Sequence, residues 1–294
     1  MIHVIGDIII DEYLLGSSTR LSPEAPIPVV DLKRKRYSLG GAGNVFMNVK
    51  SATEDVSLYG YIDDAHSYIL KKIKPKGKIS ECDLMPLKTR IVANDHMLVR
   101  VDTEEYIEET IIEDSFSIKN EYDIVVLSDY NKGTVKNPQS IITKSKRCIV
   151  DPKVSLDYYK NAYVLKPNKK EFEDYIGESN LSPKHLLVHA RRVRDELNVD
   201  NFIVTLGSEG VLLVGDQIEH YPATSTEVSD VTGAGDTFTA TLAICLWMNL
   251  PVYLAVRISN TMAGEAVKRH GTYLIDYNKL AEEIENEKSI SNRR

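Results

Sequence analysis

The segment Val228–Phe238 reads Val-Ser-Asp-Val-Thr-Gly-Ala-Gly-Asp-Thr-Phe and runs into the apolar stretch Thr239–Trp247. Gly233, Ala234 and Gly235 leave the backbone nearly bare, so a ligand can approach the main chain closely. If a helix opens here, its first amides have no intrahelical acceptor and face whatever lies ahead of them, which makes an anion site. Asp236 then falls in the first turn, where the positive end of the helix dipole favours an ionised carboxylate. Bare amides for a charged group, beside a carboxylate able to take a proton, are what phosphoryl transfer to a hydroxyl requires. A glycine turn followed by an ordinary helix start would carry the same residue types. Spacing alone leaves both readings open.

The surrounding elements must position these residues. Met1–Ile10 is an apolar run carrying Asp7 and followed by Asp11, read as a buried strand that delivers carboxylates to a crevice. Residues 12–39 contain Pro23, Pro26 and Pro28 and suggest edge strands outside the main sheet. Leu39–Val45 is a second glycine turn, opening a helix through Phe46–Lys50. Val56–Tyr61 reads as a strand, Asp63–Ile73 as a helix ended by Pro75-Lys76-Gly77, and Thr89–Val101 as strand-rich. Strands at Asp123–Leu127, Cys148–Val150, Tyr163–Leu165 and Phe202–Leu206 run into polar ends at Ser128-Asp129, Asp151, Lys166-Pro167-Asn168 and Gly207-Ser208. Val211–Val214 and Ile218–Tyr221 form a hairpin; Lys169–Ile176, Pro183–Leu197, Pro251–His270 and Tyr277–Glu287 are helical. This alternation is an α/β fold with a central, mostly parallel sheet flanked by helices. Ligands in such sheets bind beyond the carboxyl ends of the strands, which gathers Asp11, Asp129, Asp151, Asn168 and Gly207 on one edge.

Composition narrows the classes. With 294 residues and 43% hydrophobic content the chain can bury a large core, read here as one domain over 1–294 with a small β lid from 12–38 and 88–101. A net charge of −7 argues against a general nucleic-acid or anionic-membrane surface, so any phosphate must be gripped locally. Cys82, Cys148 and Cys245 are odd in number and far apart, which suits a reducing cytoplasm. Acids follow the apolar start too soon for a signal peptide, and Thr241, Asn249 and Pro251 interrupt the longest apolar stretch. Both glycine turns fail the G-x-G-x-x-G dinucleotide fingerprint, with Phe46 and Phe238 at the last position, and no G-x-x-x-x-G-K-[ST] occurs. His185 and His189 sit four apart without the intervening Glu or a third ligand, so a surface pair is the reading there.

Asp230–Phe238 resembles the signature of the ribokinase-like (PfkB) carbohydrate kinases, and similarity extends from Val4 to about Gly271. The resemblance implies a ribokinase-like three-layer fold and ATP-dependent phosphorylation of a sugar. Gly233, Ala234 and Gly235 would be the anion hole and Asp236 the catalytic base. Pro167-Asn168-Lys169-Lys170-Glu171 is similar to the family's Asn-x-x-Glu motif, so Asn168 and Glu171 would order magnesium-bound water and Lys169 and Lys170 would lie by the nucleotide. A capped helix start explains the same residues. Thr205, Gly207, Ser208 and Gly210 resemble the turn under the adenine nucleotide, with Asn260 on the helix lining its base pocket. Asp230 and Thr232 resemble the loop that holds a monovalent cation, so potassium activation is expected.

Within the family, Arg20-Leu21-Ser22-Pro23-Glu24-Ala25-Pro26-Ile27-Pro28-Val29-Val30 resembles the lid of the branch acting on D-glycero-beta-D-manno-heptose 7-phosphate, and Gly40–Val45 and Val126–Gly133 match that branch too. It implies transfer to the anomeric hydroxyl, with Asp11, Gly40, Gly41, Asn44 and Asp129 on sugar hydroxyls and Asp7 and Lys132 close by. An acceptor that already carries a phosphate requires a cationic clamp, for which Arg20, Arg90 and Arg100 are the candidates and Lys88 and Lys153 the reserves. A homodimer through the lid is expected. The Asp63–Thr89 stretch looks shorter than in relatives, and Gly43 replaces the alanine of the turn. Other readings are a kinase of fructose phosphate or a pentose, and a non-catalytic sugar- or nucleotide-binding regulator on the same scaffold.

Overall fold

The computed structural model describes residues 1–108, 116–118, 120–225, 227–269, 271 and 273–291. In chain order the strands are β1 (Ile2–Gly6), β2 (Ile8–Leu21), β3 (Pro28–Gly41), β4 (Val56–Ile62), β5 (Lys76–Glu81), β6 (Leu87–Ala93), β7 (His96–Thr103), β8 (Ile124–Ser128), β9 (Cys148–Asp151), β10 (Val164–Leu165), β11 (Asn201–Thr205), β12 (Val211–Val214) and β13 (Ile218–Tyr221). The helices are α1 (Ala42–Ala52), α2 (Asp64–Ile73), α3 (Pro138–Ile142), α4 (Lys169–Ile176), α5 (Pro183–Glu196), α6 (Ala234–Trp247), α7 (Val252–Ala266) and α8 (Tyr277–Ser291).

Nine strands form the central sheet in the order β13-β12-β11-β10-β9-β8-β1-β4-β5. From β11 to β5 every neighbouring pair is parallel, while β12 and β13 close one edge as an antiparallel hairpin. Strands β1 and β8 are buried along their whole length, as expected where helices cover a parallel sheet. Helix α6 is buried continuously from Asp236 to Leu246 and packs against α1 and α7. An all-round apolar helix of this kind belongs inside the core. Its N-terminus therefore stands at a defined depth relative to the strand ends.

The second sheet has the order β3-β2-β6-β7. It begins where the first apolar run, expected as one strand, divides at Asp7. β1 stays in the central sheet and β2 leaves it: the Asp7 amide still donates to the Ser128 carbonyl at 3.1 Å, but the Asp7 carbonyl turns to accept the Ala42 amide at the start of α1 at 2.9 Å. Thr89–Val101 likewise divides into β6 and β7 at Asn94-Asp95, whose positive φ values (51° and 64°) suit a tight hairpin turn. Lys76–Gly77, expected only to break a helix, instead enters β5; α2 already ends at Lys74 in the left-handed region, and an exposed edge strand tolerates lysines and a glycine. Helix α7 ends at Ala266, short of the expected His270, which lies outside the described residues. All three cysteines are buried, and among the described residues no helix is long and apolar enough to cross a membrane.

Candidate active site

Helix α6 opens at Gly233, which sits in the left-handed region at φ 78° and supplies no side-chain cap. The Ala234 amide donates to the Val231 carbonyl at 3.3 Å, and no side chain caps the first-turn amides that follow it at the cleft. Asp236, only 5% exposed, is held from two sides. The Tyr130 hydroxyl donates to Oδ1 at 2.7 Å and the Asn44 amide donates to Oδ2 at 2.8 Å. Asn44 is itself oriented by Asn48, whose Nδ2 donates to its Oδ1 at 3.1 Å, so its own NH2 group is left for the carboxylate. Gly41 starts α1 at φ 56°, and a Cβ there would fall 2.4 Å from the Asp7 carbonyl oxygen. The tight turn brings Asn44 to the first turn of α6. Burial pushes Asp236 up to about 6 despite the Asn44 and Tyr130 hydrogen bonds; the nearby Asp151 adds to the rise and Lys166 opposes it.

A cleft of about 730 Å³ lies beyond the strand ends and runs to Ala234 and Gly235. Lys166, 3% exposed, is paired there with Asp151 at 3.0 Å, and Thr239 donates to the other Asp151 oxygen at 2.9 Å. Asn168 and Glu171 form a capping box at the start of α4: the Glu171 amide donates to Asn168 Oδ1 at 2.9 Å and the Asn168 amide to Glu171 Oε2 at 2.8 Å. Lys153 pairs with the remaining Glu171 oxygen at 2.6 Å. Thr205, Gly207, Ser208, Gly210 and Asn260 also line this cleft, as do Lys169 and Lys170, whose amines pair with Glu209 and Asp174.

The sugar-side candidates divide into three groups. Asp129 lines the cleft and accepts from the Tyr159 hydroxyl at 2.7 Å and the Asn131 amide at 2.9 Å. Its carboxyl is pushed up to about 6 by burial, with Asp7 adding to the rise. Asp7 is fully buried and accepts from the amides of Tyr130, Lys132 and Thr134 at 2.7, 3.1 and 3.0 Å. Through these three amides Asp7 holds the loop after β8. Asp11 is ion-paired with buried Arg90 on the second sheet, and a Cβ on Gly40 would meet Asp11 Oδ2 at 2.5 Å. Lys132 pairs with Glu104 at 2.9 Å, Arg100 is exposed and pairs with Asp102 at 2.9 Å, and Arg20 is exposed near the far end of β2. Asp230 accepts from the Thr232 and Gly271 amides, both at 2.9 Å; burial works against its charge, yet these hydrogen bonds hold the carboxyl below the usual range.

Residues 104–278 match the family model described as pfkB family carbohydrate kinase. The chain belongs to the pfkB family of carbohydrate kinases. It is therefore a phosphotransferase acting on an alcohol group of a sugar. This pfkB kinase is 35% identical to the bifunctional protein HldE of Campylobacter fetus subsp. fetus, over 97% of this chain and 66% of that protein. It is 34% identical to the bifunctional protein HldE of a Nitratiruptor species, over 92% of this chain and 62% of that protein. The chain thus spans about two thirds of the length of the curated relatives it matches. In structure it is similar to phosphofructokinase-2 from Escherichia coli in complex with potassium, with a TM-score of 0.79 at 16% identity over 98% of this chain and 99% of that one. It is also similar to ribokinase from Thermotoga maritima, with a TM-score of 0.75 at 23% identity over 97% and 99% of the two chains. The fold is ribokinase-like.

The pfkB kinase carries donors suited to a magnesium nucleotide in its cleft. Asp151, Asn168 and Glu171 bring carboxylate and amide oxygens to the same cleft that reaches Ala234 and Gly235 at the start of α6. Among the described residues no three or more His, Cys, Asp or Glu side chains converge as a metal cage. Three residues of the site were not singled out from the sequence: Tyr130, Lys166 and Tyr159. The first two adjoin strand-end residues that were, and a polar side chain beside such a strand end is the only signal that pointed to them. Tyr159 lies on a short 3-10 turn after β9, and no local pattern marks it.

Proposed function

We propose that this kinase transfers the γ-phosphate of ATP to the anomeric hydroxyl of D-glycero-beta-D-manno-heptose 7-phosphate, giving the 1,7-bisphosphate. The observation that carries the reading is the buried Asp236, held by Asn44 and Tyr130 at the open start of α6 where the cleft ends. Ionised above about pH 6, Asp236 is the group to take the proton of the attacking hydroxyl. The main chain at Gly233, Ala234 and Gly235 meets the charge developing on the phosphoryl group. Magnesium, bound with the nucleotide, would neutralise phosphate charge, with Asn168 and Glu171 orienting its water shell. Lys166, buried against Asp151, keeps positive charge on the phosphate path. Asp230 and Thr232 would hold a potassium ion beside the anion hole. Asp11, Gly40, Gly41, Asn44 and Asp129 would take sugar hydroxyls, with the second sheet as a lid.

HldE relatives and the Arg20–Val30 lid sequence support a heptose phosphate over other acceptors. A homodimer through the lid agrees with β7, an edge strand exposed along its length that carries Met97, Leu98, Val99 and Val101. A coupled assay of ADP release over a panel of sugars and sugar phosphates tests the reading. Heptose 7-phosphate should be the best acceptor, and a panel in which it gives no ADP while another sugar does would overturn the assignment.

A further inference from the structure

We infer that one row of the second sheet, Arg36–Tyr13–Arg90, is the subsite for the phosphate of a phosphorylated acceptor and makes the enzyme select sugar phosphates over free sugars. The inference rests on the kinase reading above and adds the residues that recognise the acceptor class. Strand register carries it. Tyr13 on β2 stands opposite Arg36 on β3 and opposite Arg90 on β6. Laterally paired residues project to the same face of a sheet. Both guanidiniums accordingly lie over the Tyr13 ring, with their carbons 5.3 and 5.2 Å from its centroid. That face turns toward the body of the molecule, since a Cβ on Gly271 would lie 3.3 Å from the Tyr13 hydroxyl and 3.5 Å from Arg36 Nη2.

The adjacent row on the same face is Ser38–Asp11–Lys88, two residues nearer the α1 turn. The sheet therefore presents an ordered rail. Asn44 contacts the base Asp236, the Asp11 row follows, and the arginine row lies beyond it by about 6.8 Å, the advance of two strand residues. A sugar with its reacting hydroxyl at Asp236 and its other hydroxyls on Asp11 would place a phosphate at its far end in the arginine row. The charges fit such a group. Asp11 pairs with Arg90 and the nearby Asp230 carboxylate acts on Arg90 and Tyr13, whereas among the described residues Arg36 stands in no ion pair, which leaves its guanidinium for an anionic group. The Tyr13 hydroxyl and Ser38 Oγ are both buried without a hydrogen-bond partner among the described residues, and each has a proton to donate to an anionic oxygen. A purely structural arginine stack accounts for the ring contacts but leaves both hydroxyls idle. The same register puts Arg100 opposite Arg90, where Asp102 already pairs with it, and places Arg20 well along β2 from the row.

Arg36→Ala, Arg36→Lys and Tyr13→Phe test the subsite; Arg90 is left intact because its loss would strand Asp11. For each protein, kcat/KM is measured with heptose 7-phosphate, other sugar phosphates and their unphosphorylated counterparts, together with inhibition by inorganic phosphate and the melting temperature. Wild type should favour phosphorylated acceptors and be inhibited by inorganic phosphate competitively with the acceptor. Arg36→Ala should lose tenfold or more in kcat/KM for the best phosphorylated acceptor, mostly in KM, with the KM for ATP unchanged. It should also lose the phosphate inhibition, with Arg36→Lys and Tyr13→Phe in between. Wild type preferring a free sugar, or Arg36→Ala within twofold of wild type on the best sugar phosphate, would overturn the subsite. Heptose 7-phosphate failing while another sugar phosphate shows the Arg36 dependence would overturn the heptose assignment and leave the subsite standing.

Discussion

Removing the Tyr130 hydroxyl should move the acid limb of the pH profile without moving the plateau. With Asp236 as the proposed base, activity should need its ionised form and be lost as pH falls through its pKa, about 6 in the free enzyme. Tyr130→Phe deletes the 2.7 Å donor on Oδ1 and leaves the Asn44 donor on Oδ2. A hydrogen bond to a charged acceptor contributes about 1.5–3 kcal/mol, and one pKa unit corresponds to about 1.4 kcal/mol, so one to two units bound the effect. Water entering beside the phenyl ring offsets part of it. A rise of about one unit is expected, because the ionised form has lost support. Asp151 and Lys166, which bias the base in opposite directions, stay in place. On kcat/KM for the acceptor, which reports the free enzyme, a one-unit rise gives about a fivefold loss at pH 6 and little change at pH 9. An acceptor phosphate titrates in the same range, but it does so equally for both proteins and cancels in their ratio. Profiles from pH 5 to 9 by ADP release provide the measurement. Acid limbs that coincide, or a shift of the variant to lower pH, would refute the role of the phenol on the base.

Three further outcomes follow from the same geometry. Asp236→Asn should lower turnover about 10²–10⁴-fold with nucleotide binding retained; its folded pKa lies above the ordinary 3.8, so the charged form costs stability at higher pH, and the melting temperature at pH 8 should hold or rise. Near-full turnover would remove Asp236 as the base. Lys166→Ala leaves Asp151 beside the buried base without its cation and should cost about 3–5 kcal/mol in denaturant unfolding along with a raised KM for ATP; a variant as stable as wild type would show that the pair is not needed. Asp7→Ala removes the acceptor of three loop amides and should destabilise by roughly 3 kcal/mol or more, read by the same unfolding, whereas a loss under about 1 kcal/mol would contradict its loop-holding role.

Local chemistry carried much of the fold into view. Helix α4 begins and ends where its Asn cap and Gly177 place it, and the β12–β13 hairpin follows its alternation. Strand β5 was hidden because its lysines and Gly77 resemble a helix terminator, and only pairing with β4 makes them a strand. The division of β1 from β2 was hidden because the apolar run continues across Asp7. What divides it is a change of pairing partners distant in sequence, β4 and β8 for β1 and β3 and β6 for β2.

The bare turn before α6, the acid in its first turn and the polar ends of the parallel strands are properties of short segments, and the sequence alone determined them. It could not tell the buried aspartates apart. Asp7, Asp129 and Asp236 each follow or adjoin a strand end or a turn, yet three amides occupy the first, a phenol and an amide hold the second, and the third faces Asn44 and Tyr130 from 192 and 106 residues away. Tertiary structure also decided which arginines stand together, since cross-strand register set Arg36 and Arg90 on either side of Tyr13. A carboxylate's role depends on which donors and charges surround it once water is excluded, and those neighbours meet only when the chain has folded.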